Sequence, residues 1–90
     1  MNHYTFEDIE IGTSVSFDYQ ITKEKMLLFL EITGDINPLH CDLEYAQKMG
    51  YTENVVYGML TSSILSTLAG VYLPGEHSLI HSVNISFVKP

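Results

Sequence analysis

Polar and apolar residues alternate through residues 13–21. Val15, Phe17, Tyr19 and Ile21 share one face of an extended chain, and Ser14, Ser16, Asp18 and Gln20 share the other. That is the period of a half-buried strand. The period then changes. Thr22 followed by "KEKMLLFLEIT" predicts a helix over 23–33, with Thr22 as its cap, Glu24 in its first turn and Gly34 as its stop. "CDLEYAQKMG" predicts a second short helix, capped by Asp42, stopped by Gly50, with Lys48 near its negative end. No charge occurs between Gly58 and Gly75. There Met59, Leu60, Ile64, Leu65, Leu68, Ala69 and Tyr72, interleaved with small hydroxyl residues, predict a helix buried nearly all round. Pro74-Gly75 ends it. "SLIHSVNISFVK", residues 78–89, alternates again and predicts a second strand.

The order strand, helix, short helix, buried helix, strand is an α+β chain. Two strands cannot cover a buried helix, and a two-stranded ribbon is barely stable in water. The chain also stops inside the second alternating run, at "VKP". Residues 1–90 therefore predict a single domain, incomplete at its C-terminus. Further strands would come from a longer natural chain or from another subunit.

Ninety residues allow no more than one small domain. An apolar fraction of 46 % is too high for a disordered chain. The net charge is −7 and there is no arginine; the basic residues are Lys23, Lys25, Lys48 and Lys89. Nucleic acid is excluded as a partner, since it requires clustered cations, and so is an anionic membrane surface. The single cysteine, Cys41, cannot form an internal disulfide and fits a reducing compartment. "MNHYTFEDIE" is no signal peptide, and the apolar run around "ILSTLAGVYL" is too short to span a bilayer. A cytoplasmic location is expected.

Candidate chemistry concentrates in "TGDINPLHCD", residues 33–42. Two readings stand side by side. In one, this is a connection between helices in which Asp35 and Asn37 satisfy backbone donors. In the other, Asp35 and His40 face one cavity and share a water, one taking a proton while the other gives one, with Asn37 orienting either group. A second feature is "VVYGMLTSS". A glycine opening a buried helix can offer backbone N–H groups to an oxygen that gains negative charge, or can simply permit a turn. Tyr45 and Tyr57 are candidates to line the site. His77 and His81 share a strand face but lack a third metal ligand, so no metal is expected. His81 is expected to be partly buried. Cys41, on an extended segment, would point away from His40.

"TGDINPLHCDLEYA", then "VVYGMLTSSILSTLAGVYLPG" and "SFVKP", together resemble the MaoC-like family of (R)-specific enoyl-CoA hydratases and 3-hydroxyacyl-thioester dehydratases. The resemblance covers residues from about Phe6 to Pro90. It implies a hot-dog fold, an antiparallel sheet wrapped around a long central helix, here Met59 to Tyr72. It implies Asp35 and His40 as the catalytic pair and the Gly58 N–H as oxyanion donor. Asn37, Tyr57, Met59 and Ser66 would orient or bind the substrate. The implied reaction is reversible hydration of a trans-2-enoyl thioester, carried by coenzyme A or acyl carrier protein, with no cofactor beyond that carrier. A homodimer or higher oligomer is implied as well. Two other readings remain: a non-catalytic hot-dog subunit that binds an acyl thioester or completes a partner's fold, and a thioesterase on the same scaffold.

Overall fold

The computed structural model describes residues 1–90. It contains two compact units, residues 20–61 with 87–90 and residues 1–19 with 62–86.

In the first of these units, α1 spans Lys23–Thr33, as its sequence signals predict. The Thr22 hydroxyl accepts the Lys25 N–H at 3.2 Å. Gly34, left-handed at φ 71°, donates its N–H to the Leu30 carbonyl at 2.7 Å. Both end groups are thereby partnered. An additional turn, α2, spans Pro38–Cys41. Asn37 is its N-cap at φ −54°, ψ 125°, and its side-chain oxygen accepts the Leu39 N–H at 3.0 Å. The proline holds the preceding residue out of the helical region and is itself suited to the first helical position. α3 spans Leu43–Lys48, with the Asp42 carboxylate accepting the Tyr45 N–H at 3.2 Å. α2 and α3 pack together, and the unit's fully enclosed side chains are Ala46 and Tyr57.

The expected central helix is a helical run in three pieces: α4 (Gly58–Ser63), α5 (Leu65–Thr67) and a π-helical turn over Leu68–Tyr72. It is not buried all round. Only Leu60 is buried, while Met59 is 66 % exposed. The run lacks charge, but lack of charge does not enclose a helix; a covering sheet does, and none is formed here.

In the second unit, the N-terminal segment closes the end of that helical run. Helix C-termini leave carbonyls without partners. Here the Asn2 backbone N–H donates to Val71 O at 2.7 Å and its side-chain amide to Tyr72 O at 2.8 Å. Glu76 N–H donates to Asn2 O at 2.8 Å, and His3 pairs with Gly75 in an isolated antiparallel bridge. Gly75 is at φ 85°, and a Cβ there would lie 1.9 Å from the Asn2 carbonyl oxygen, so only glycine fits. The His3 imidazole bonds the Glu76 carboxylate, and Phe17 stacks on Tyr72 at 4.6 Å.

The two predicted strands do not form. Residues 13–21 and 78–89 carry no ladder, and a sheet wrapped around a helix is absent. Alternation records which face a strand would bury, whereas pairing needs a neighbouring strand to take up the backbone N–H and C=O groups. His81, expected to be partly buried, is exposed for the same reason. No helix is long and apolar enough to cross a membrane.

Candidate active site

α1 ends at Gly34, and its left-handed turn delivers Asp35 at once into the loop. One carboxylate oxygen of Asp35 accepts the Asn37 N–H at 3.1 Å. This is a local Asx turn, as the connection reading expects. The Asp35 backbone carbonyl accepts the Tyr57 O–H at 2.8 Å. α2 then carries His40 back toward the segment before α4. Its Nδ1 lies 2.6 Å from the Val55 carbonyl. A carbonyl only accepts, so Nδ1 carries the proton, and in the neutral ring Nε2 holds the lone pair. That ring stacks on Tyr57 with centroids 4.3 Å apart.

His40 and Gly58 line one cleft of about 560 Å³, together with Val55, Thr61, Phe87 and Lys89. Gly58 lies close to Phe87: a Cβ there would sit 3.1 Å from the ring. The cleft therefore joins a histidine of fixed tautomer, the first residue of α4 and a lysine.

The other sequence-predicted residues fall elsewhere. Asp35 is exposed, does not hydrogen-bond His40 and does not line the cleft. Asn37 is exposed, and its side-chain oxygen is engaged in capping α2. Tyr57 is 2 % exposed and lies beneath the loop, outside the cleft lining. An aromatic ring with one polar end is most stable when the ring is enclosed and the hydroxyl partnered. Met59 points to solvent, two positions along from Tyr57 and hence on a different side of the chain. Ser66 is exposed on α5, in the other unit.

Tyr57 also meets Cys41, whose Sγ lies 3.3 Å from the phenolic oxygen and 3.7 Å from Asp35 O. Cys41 stands on a helical turn, not on an extended segment, and so faces Tyr57. The Tyr57 ionisation is pushed up to about 12, first by burial, then by the Cys41 contact and the charge on Asp35. The Val55 carbonyl had no sequence signal, because any residue type supplies one. Lys89 and Phe87 had one in "FVKP".

Residues 7–90 match the MaoC like domain family. The chain is 33 % identical over 88 residues to an (R)-specific enoyl-CoA hydratase of Rhodospirillum rubrum, covering 98 % of this chain and 60 % of that protein. It is 31 % identical over 85 residues to a 3-hydroxybutyryl-CoA dehydratase of Methylorubrum extorquens, covering 94 % of this chain and 54 % of that protein. An (R)-specific enoyl-CoA hydratase of Aeromonas caviae is 30 % identical over 84 residues, 93 % of this chain and 63 % of its own length. The chain thus spans between about half and two thirds of these relatives. No solved structure matches. A match over residues 7–90, carrying the Asp35-to-His40 run and Gly58 with it, means that this chain belongs to the MaoC-like domain family.

Proposed function

We propose that the chain acts in the reversible hydration of a trans-2-enoyl thioester to the (R)-3-hydroxyacyl thioester, on the hot-dog scaffold of its family. The observation that carries this is the cleft shared by His40 and Gly58, with the His40 tautomer held by Val55. The Nε2 lone pair takes a proton from water as the hydroxyl adds to C3. His40 then returns that proton to C2, and the free Asp35 carboxylate oxygen, outside the cleft lining in this structure, would have to turn in to hold the water. The C2–C3 π pair becomes the new C2–H bond, so atoms and charge balance. The thioester oxygen gains negative charge in passing, beside the start of α4, where the Gly58 N–H is the proposed donor. Removal of one such donor costs about 3–4 kcal/mol of barrier. Lys89, in the same cleft, meets the phosphates of coenzyme A or of an acyl carrier protein. Dehydration is the same path reversed. The similarity to an (R)-specific enoyl-CoA hydratase and a 3-hydroxybutyryl-CoA dehydratase supports this choice over thioester hydrolysis.

A partner subunit forms part of the proposal. A folded 10.2 kDa monomer exposes about 5,300 Å², whereas this chain exposes 7284 Å². The surplus, about 2,000 Å² on one chain, is more than twice the roughly 800 Å² that a standard interface buries on each partner and falls in the range of obligate assemblies. The same surplus favours the second reading, a non-catalytic subunit that completes a partner's fold. Hydration of crotonyl-CoA by the purified chain separates the two. Turnover that falls about 100-fold or more in Asp35→Asn and in His40→Ala supports catalysis. A folded chain without turnover, or an unimpaired Asp35→Asn, refutes it.

A further inference from the structure

The enclosed tyrosine beneath the loop has no place in the acid–base chemistry, yet it touches every part of it. Its hydroxyl donates to Asp35 O at 2.8 Å. That donation spends its proton, so toward the phenolic oxygen the Cys41 thiol at 3.3 Å can only donate, and its one S–H is shared between that oxygen and Asp35 O at 3.7 Å. Its ring stacks on His40 at 4.3 Å and meets Phe29 of α1 at 4.9 Å. Its own carbonyl accepts the Leu60 and Thr61 N–H groups of α4, at 3.0 and 3.1 Å. Tyr57 thus joins the end of α1, the loop, α2 and the start of α4 through one side chain and one peptide.

We infer that Tyr57 is the positioning residue of the site: its buried hydroxyl fixes the loop carrying Asp35, and its ring fixes the plane of His40. The inference rests on the proposed hydration for its catalytic consequence, but not for its structural one. Asp35 is otherwise exposed and held by contacts within six residues: to Thr33, to Asn37 and, at 3.7 Å, to the Cys41 thiol. The Tyr57 hydroxyl is the strong long-range bond on the loop's first half. A group that acts through two others should change turnover while leaving substrate affinity alone.

The test is Tyr57→Phe, which keeps the ring and removes the donor, read in two ways. The first is amide hydrogen exchange. Exchange at Asn37, Leu39 and His40 is expected to rise about tenfold while the amides of α1 keep their protection. Unchanged exchange in the loop overturns the inference, whatever the activity. The second is crotonyl-CoA hydration beside wild type and Asp35→Asn. The expected result is a kcat lower by about 10–100-fold with KM within about twofold of wild type. A kcat near wild type, or a loss confined to KM, overturns it. Wild-type protein without turnover refutes the hydratase reading alone, and the exchange result then decides this inference by itself. Should Tyr57→Phe not fold, 4-aminophenylalanine at position 57 keeps the shape with a weaker donor. Its loop must then exchange faster than wild type, and protection equal to wild type overturns the inference.

Discussion

Gly34 joins the best-formed helix to the acid of the candidate pair, so its replacement tests both stability and site. Its backbone sits at φ 71°, ψ 16°, and nothing lies within 4 Å of where a Cβ would be. Gly34→Ala therefore meets no clash, and its whole cost is the left-handed conformation. That strain is about 1–2 kcal/mol for an L-residue. Alanine also narrows the unfolded ensemble, which offsets about 0.4–1 kcal/mol. The net loss expected is roughly 1 kcal/mol, or about 4–8 °C in Tm for a chain of this size. Asparagine tolerates this region better than alanine, so Gly34→Asn should fall between wild type and Gly34→Ala. Urea denaturation of the three purified proteins, followed by circular dichroism, reads the order directly. An alanine variant as stable as wild type would refute the reasoning. So would an asparagine variant no better than alanine, because strain at φ would then not be the cause.

Four further outcomes follow from named contacts. Absorbance titration at alkaline pH should show one tyrosine ionising near 12, and Tyr57→Phe should remove that step. Because this folded value is raised, the associated stability is present below the ordinary tyrosine value of 10.0 and is lost as pH rises through about 12. The Glu76 carboxyl is held below its usual 4.5 by the hydrogen bond and charge of His3. The stability it contributes is present above 4.5 and lost as pH falls through the lower folded value, and an NMR titration of His3→Ala should show Glu76 moving back up. Gly75→Ala would drive a Cβ into the Asn2 backbone, with an expected loss of about 2 kcal/mol or more by denaturation, along with faster exchange at the amide of Glu76. Gly58→Ala meets only the edge of Phe87, itself 56 % exposed and able to shift. Stability should change by less than about 1 kcal/mol, while crotonyl-CoA hydration falls because the cleft is narrowed beside His40.

What could be read from residue order divides by the range of the interaction involved. α1 and α3 were legible in full because their determinants are local: Thr22 and Asp42 reach N–H groups three residues on, and Gly34 supplies its own left-handed turn. α2 was not predicted, although Asn37-Pro38 carries its signals, a cap followed by proline at the first helical position, because the same dipeptide equally fits a connection between helices. The strands failed for a different reason. Val15, Phe17 and Tyr19 specify a face, but a sheet is a relation between segments, and no period within one segment states which other segment it meets. The candidate site divides in the same way. Asp35, His40 and Gly58 are candidates by residue type and spacing; His40 and Gly58 meet in one cleft, while Asp35 lies outside it in the Asx turn of the connection reading, which occupies one carboxylate oxygen and leaves the other. The partners that organise the site lie out of register with it: Val55 bonds His40 across 15 residues and Tyr57 bonds Asp35 across 22. Tyr57 is a candidate to line the site by residue type, but residue type does not say whether an aromatic ring faces a cleft or packs beneath it, and here it is buried. Its burial makes it a support for the pair, so a substitution there should alter the geometry of Asp35 and His40 before it alters any surface a substrate touches.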